Sequence, residues 1–182
     1  MKKIISLIAV PLLFSFTVWT GVFDTSIPLP EGGQEALSKY AGKRLMVVVL
    51  PCTYTSADSA LLQTLGTLNN NHKDSITMIG VPSYEDGFAD DSMYSLMTWY
   101  RFYLDSSFVI AGGMSTRKAS SYQAPLFTYL THADLNGYFD KDVYGAGEEF
   151  FINKEGNLYG ISTPGAELNE DIFVQMINKQ TP

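Results

Sequence analysis

A chain of 182 residues carries a single thiol, Cys52, two positions after the apolar run Leu45-Met-Val-Val-Val-Leu50 and just before a stretch of helical character. A sulfur set between the end of a buried strand and the start of a helix is well placed for redox chemistry. Helix N-terminal N–H groups and the helix dipole favour the thiolate, which is the nucleophilic form. The competing reading is a small buried hydrophobe, the usual fate of a free cysteine.

The elements that must position this sulfur are legible from pattern. Phe23 to Lys43 carries turn signals at Pro28, Pro30 and Glu31-Gly32-Gly33, with a second break at Ala41-Gly42-Lys43, and predicts an N-terminal β-hairpin with a connecting turn. Leu45 to Leu50 is a continuous apolar run with β-branched Val47, Val48 and Val49 at its centre, as expected of a strand covered on both faces. Leu61, Leu62, Leu65 and Leu68 recur at helical spacing from Thr55 to about Asn70, with Thr55 or Ser56 as the cap and Asn69-Asn70-Asn71 as the end.

Ser75 to Val81 predicts a second strand, broken by Pro82 and followed by the acidic loop Tyr84 to Asp91. Met93 to Leu104 predicts a helix whose aromatics Trp99, Tyr100, Phe102 and Tyr103 face a core or groove. A short strand at Phe108 to Ala111 and a short helix at Pro125 to Thr131 come next. Phe150-Phe-Ile152 and Leu158 to Ile161 flank Asn153-Lys-Glu-Gly156, a hairpin signal. Leu168 to Ile177 closes the chain as an amphipathic helix with Ile172, Phe173, Met176 and Ile177 inward. Right-handed crossovers make the first two core strands parallel, and the late hairpin adds antiparallel ones. The expected class is α/β: a thioredoxin-like fold with a central mixed sheet flanked by helices and an N-terminal β-hairpin.

Lys2 and Lys3 precede an uncharged apolar stretch from Ile4 to Phe23, which reads as a secretory signal peptide over residues 1–20, ahead of a single domain over residues 23–182. About 20 apolar residues could also span a bilayer. Pro11, Ser6, Ser15 and Thr17 weaken that reading, so an uncleaved membrane tether is the second choice, and the mature form has no integral membrane domain. The expected location is the periplasm or cell envelope. Removing the leader leaves ten basic against nineteen acidic residues, a formal charge of −9 in place of −7. Such a balance argues against nucleic acid and anionic membrane surfaces as partners. With one cysteine there is no internal disulfide, and an exported free thiol stands out.

Five segments, in order, resemble the glutathione peroxidase family of the thioredoxin superfamily. Gly33-Gln-Glu-Ala-Leu-Ser-Lys-Tyr-Ala-Gly-Lys43 is similar to the family's lead-in to the first core strand, and Cys52-Thr-Tyr-Thr55 to its Cys-Gly-Phe-Thr peroxidatic motif. Gly80-Val-Pro-Ser-Tyr-Glu85 stands in the place of Gly-Phe-Pro-Cys-Asn-Gln, and Ala124-Pro-Leu-Phe-Thr-Tyr-Leu130 is close to the Pro-Leu-Tyr-x-x-Leu segment. Phe150-Phe-Ile-Asn-Lys-Glu-Gly156 is similar to Lys-Phe-Leu-Ile-Asp-Arg-Asp-Gly. The resemblance implies an exported thiol peroxidase acting in the response to oxidative stress. It places Cys52 and Glu85 at catalytic positions, with Tyr54, Thr55 and Pro82 in support. It implies no cofactor; the partners are a peroxide and an external thiol reductant or redoxin.

The departures are chemical. The family's set is a cysteine or selenocysteine, a glutamine, a tryptophan and an asparagine, and only Cys52 carries over. Glu85 stands in the glutamine place, Gly145-Ala146-Gly147 replaces Trp-Asn-Phe, and Ser83 stands where some members have a second cysteine. A carboxylate facing a thiolate raises its pKa, where an amide would donate hydrogen bonds to it. Losing the indole and amide donors removes stabilisation for charge that develops as the O–O bond breaks. The second functional class is therefore a catalytically impaired binding module on the same fold. A thioredoxin-type reductase would need C-x-x-C, and Thr55 fills its second position; a copper chaperone would need a cysteine where Ser56 stands. The acidic residues Glu85, Asp86, Asp90 and Asp91 lack EF-type spacing, and His72 and His132 lack a metal-ligand pattern.

Overall fold

The computed structural model describes residues 21–166 and 169–178. The N-terminal segment assigned to export or tethering, and Leu168 of the closing helix, lie outside the described residues. The hairpin forms from β1 (Ser26–Pro28) and β2 (Gln34–Ala36), paired antiparallel in a two-stranded sheet of their own. The apolar run is β3 (Leu45–Leu50), buried at all six positions. It is followed by α1 (Ser56–His72), β4 (Thr77–Pro82), α2 (Met93–Tyr103) and β5 (Val109–Ile110). Then come α3 (Pro125–Thr131), α4 (Ala133–Asn136), β6 (Glu149–Ile152), β7 (Leu158–Ser162) and α5 (Glu170–Asn178).

The five-stranded sheet runs β5-β4-β3-β6-β7, with β3, β4 and β5 parallel and β6 and β7 antiparallel additions. β3 lies in the middle because both of its faces are apolar. Leu45, Val47 and Val49 point into one core with Leu126, Phe127 and Leu130 of α3. Met46, Val48 and Leu50 point into the other with Leu62, Leu65 and Leu68 of α1, Leu96 and Tyr100 of α2, and Phe173 and Ile177 of α5. Period-two alternation along one strand thus builds two cores. At Gly66 an added Cβ would lie 2.2 Å from the Tyr103 carbonyl oxygen, so this glycine lets α1 approach the end of α2.

Four expectations are corrected. Pro82 does not break β4 but ends it, opposite Leu50; proline lacks only the N–H, and its carbonyl still accepts the Met114 N–H at 3.0 Å. Phe102 is 81% exposed, because Leu96 and Tyr100 set the buried stripe of α2 and residue 102 lies about 200° around the helix from Tyr100. Ile172 is 42% exposed for the same reason: Phe173 and Ile177, four apart, take the inner stripe of α5. Asn69 does not end α1 but is buried within it, donating to Asp105 and Ser107 at 3.1 and 2.8 Å. α4 has no counterpart in the sequence reading; it is a single turn closed by Gly137 at φ 83°. No helix among the described residues is long and apolar enough to cross a membrane.

Candidate functional site

Parallel pairing of β3 with β4 brings their C-terminal ends together, Leu50 beside Pro82, so Pro51-Cys52 and Ser83 leave the sheet at the same edge. Ligand sites of open parallel sheets lie at this edge. Cys52 is half-buried and packs against the core beneath α1 and α2. The next turn is set by Thr55, which caps α1: its hydroxyl accepts the Asp58 N–H at 3.1 Å, while the Asp58 carboxylate accepts the Thr55 N–H at 2.9 Å and the Thr53 hydroxyl at 2.6 Å. Tyr54 takes a left-handed φ of 58°, unusual for an aromatic residue. Its half-exposed ring lies 4.6 Å from that of Trp99 on α2.

The sulfur has few polar neighbours. It donates to the Leu50 carbonyl at 3.7 Å and lies 3.9 Å from the Tyr100 hydroxyl, which itself donates to the Pro51 carbonyl at 2.8 Å. Burial pushes the Cys52 thiol up; the Tyr100 hydroxyl and the Ser83 N–H pull it down, and the Asp86 and Asp58 carboxylates push it up further. The net direction is upward, against the expectation that the helix start would favour a thiolate. The first reason is burial of the sulfur, and the helix start does little to offset it because of the capping box. Cys52 lies three residues before the N-cap, and the N–H groups of Thr55 and Asp58 are already spent on each other's side chains.

The far wall of the site is the loop after β4. Ser83 is fully buried; its hydroxyl meets the Thr116 hydroxyl at 2.9 Å and donates to Glu85 at 3.0 Å. Glu85 also accepts the Thr116 N–H at 2.8 Å and the Thr116 hydroxyl at 3.2 Å, and these donors hold its carboxyl below the ordinary range despite burial. Its neighbour Asp86 behaves differently. One oxygen accepts from Arg117 at 2.7 Å, and the other is buried with no hydrogen-bond partner, as is Arg117 Nε. Burial raises the Asp86 carboxyl, Arg117 opposes that, and Glu85 and Glu148 reinforce it.

The residues in the place of Trp-Asn-Phe form the third side. Gly147 donates to the Val49 carbonyl at 2.9 Å and the Glu148 carbonyl accepts the Val49 N–H at 3.0 Å, which ties this segment to the strand that carries the thiol. A Cβ on Gly145 would lie 3.5 Å from both Asp86 oxygens. Of the residues singled out from sequence, Cys52, Tyr54, Thr55 and Pro82 therefore gather at one sheet edge. Glu85 stands on the adjoining loop with its carboxylate on Ser83 and Thr116. Three neighbours escaped sequence reading: Asp58, the Tyr100 hydroxyl and the Asp86–Arg117 pair. Asp86 lay in a visible acidic loop, but its partner is 31 positions away and carries no local signal. Among the described residues, no three His, Cys, Asp or Glu side chains stand together to hold a metal ion.

No family model matches the chain, and no curated protein matches its sequence. Solved structures do match. An apo-form structure of the protein named Trgpx superposes with a TM-score of 0.63 at 19% identity over 90% of this chain and 99% of that one. T. cruzi GPX1, a glutathione peroxidase, gives 0.60 at 19% identity over 87% and 97%. A secreted Mycobacterium tuberculosis disulfide oxidoreductase gives 0.55 at 13% identity over 86% and 96%. The chain has the thioredoxin-like fold that these proteins share.

Proposed function

We propose that this chain is an exported, divergent thiol peroxidase of the glutathione peroxidase type, with Cys52 as its peroxidatic residue. The observation that carries this reading is the position of the lone thiol. It is half-buried rather than sealed, it stands at the edge where β3 and β4 end, and the Ser83 N–H faces it. The Cys52 thiol gives up its proton, and the thiolate attacks one peroxide oxygen. An S–O bond forms as the O–O bond breaks, and the leaving oxygen takes a proton to depart as water or an alcohol. Cys52 becomes a sulfenic acid, oxidised by two electrons as the peroxide is reduced by two.

With no second cysteine in the chain, an external thiol attacks the sulfenic sulfur and expels water. A second thiol then attacks the mixed disulfide, releasing a disulfide and the regenerated Cys52. The raised thiol and the glycines at 145 and 147 make this a slow peroxidase. Glu85 serves by fixing Ser83 and Thr116, and so the loop that faces the sulfur. The upward push on the thiol favours one second reading, a thioredoxin-fold binding module in which Cys52 stays reduced.

The mature domain incubated with hydrogen peroxide, with Cys52 followed by mass and by trapping of sulfenic acid with a carbon nucleophile, separates the two. The peroxidase reading expects one-oxygen oxidation faster than that of free cysteine and absent in Cys52→Ala. Oxidation no faster than free cysteine leaves the binding module.

A further inference from the structure

Tyr100 is fully buried on α2, packed in the core that holds Met46, Val48 and Leu50, with the Trp99 ring 5.5 Å from its own. A ring packed on all sides keeps its oxygen in place, and only the hydroxyl proton turns. Two acceptors stand within reach of that one proton: the Pro51 carbonyl at 2.8 Å and the Cys52 sulfur at 3.9 Å. Burial holds the hydroxyl protonated far above the ordinary tyrosine range, so it remains a donor while the thiol ionises.

In the thiol state each proton has its own carbonyl, the S–H that of Leu50 at 3.7 Å and the O–H that of Pro51. Loss of the thiol proton leaves the sulfur facing the Leu50 carbonyl with no hydrogen between two electron-rich atoms. We propose that the Tyr100 hydroxyl is a switched donor: its proton turns from the Pro51 carbonyl to the Cys52 sulfur when the thiolate forms. The donor thus comes from α2, in a site whose Glu85 and Gly145-Ala146-Gly147 positions offer no side-chain amide or indole. This rests on Cys52 being the reacting group. No proton leaves Tyr100; the thiol proton goes to water. Hydrogen bonds to an ionised acceptor are shorter and stronger than those to a neutral one, so the 3.9 Å contact tightens with the charge. The titratable groups facing the pair are Tyr54 and Asp58 around the start of α1 and Asp86 on the loop after β4. The two carboxylates oppose ionisation of the thiol, and Tyr100 and the Ser83 N–H favour it.

The test is the pH profile of Cys52 alkylation by iodoacetamide, which needs no peroxide and so decides this point whatever the outcome of the peroxidase assay. Tyr100→Phe removes the hydroxyl and keeps the ring. Its midpoint is expected to rise by about half a pH unit or more, about a threefold loss of thiolate at neutral pH. Tyr103→Phe, on the same helix with its ring 6.5 Å from that of Trp99, is expected to keep the wild-type midpoint. If Tyr100→Phe does not fold, the wild-type chain carries the test. With isotope-labelled tyrosine Cζ, one resonance should titrate with the thiol midpoint and stand still in Cys52→Ala. A role confined to holding the Pro51 carbonyl would lower stability and leave the midpoint in place. That result, an equal rise in Tyr103→Phe, or no tyrosine resonance that follows the thiol overturns the proposal.

Discussion

Glu148 immediately precedes β6 and Glu149 opens it; both are almost wholly buried, yet they are paired in opposite ways. Alternation sends their side chains to opposite faces of the sheet. Glu148 meets Lys141 at 2.9 Å and the Tyr144 N–H at 2.6 Å, so both of its oxygens have donors. Glu149 shares the face of Val48 and Phe151; Ser162 donates to it, but one oxygen has no partner, and burial pushes its carboxyl up to about 8. Depth alone does not decide how well a carboxyl is paired. The neighbouring groups decide it: the Lys141–Tyr144 segment supplies a donor to each Glu148 oxygen, while Ser162 leaves one Glu149 oxygen unpaired.

The contrast breaks most visibly under a pH titration of stability. Glu149 has a folded-state pKa above its ordinary value of 4.5, so between about 4.5 and 8 the folded chain holds a proton that the unfolded chain has released. Its contribution is fully present below 4.5 and is lost as pH rises toward 8, at roughly 1.4 kcal/mol per unit and on the order of 5 kcal/mol in all. Glu149→Gln mimics the protonated form. Urea denaturation at a series of pH values should show that fall in wild type and a flatter curve in the variant. Parallel curves would mean that Glu149 is charged in the folded state.

The partner side of the comparison is sharpened by Lys141→Met, which keeps the side-chain stem and removes the ammonium. It strands the fully buried Glu148 with a single donor, the Tyr144 N–H, and should cost roughly 3 kcal/mol, somewhat short of a deeper pair because Lys141 keeps partial contact with solvent. The denaturation midpoint at neutral pH is the measurement. A loss below that of an ordinary surface substitution would show that Glu148 is held well enough by the backbone alone.

Much of this architecture was legible in the sequence because it follows from local period. The unbroken apolar run of β3, the leucine stripe of α1 and the hairpin signal at Asn153-Lys-Glu-Gly156 each name an element without reference to the rest of the chain. Phe102 and Ile172 show the limit of that reading: each is apolar and beside the buried stripe, and only the partner helix and sheet decide which flank is covered. The site was half legible. Cys52 and the Thr55 cap lie in one short segment whose chemistry is written locally, and Asp58 completes the capping box three positions on. The environment of the sulfur is not local. It is made where loops from after β4, before α3 and before β6 meet, and neither the pairing of Asp86 with Arg117 nor the occupation of Glu85 by Thr116 leaves a trace in spacing.

The same difference between local and assembled chemistry sets the smallest expected effect. Thr55 and Asp58 satisfy one another within four residues, so the α1 start should tolerate perturbation independently of the wall formed by the loops. Thr55→Ala removes the hydroxyl that accepts the Asp58 N–H and should cost about 1 kcal/mol of stability, the ordinary value of an N-cap. Its effect on the thiol should be slight. The N–H that it frees lies six residues past Cys52, and the Asp58 carboxylate keeps its bonds to the Thr53 hydroxyl and the residue 55 N–H. Thermal unfolding together with the Cys52 alkylation profile checks both halves. A thiol midpoint that falls along with the helix stability would mean that the helix start, and not the loop wall, governs the sulfur.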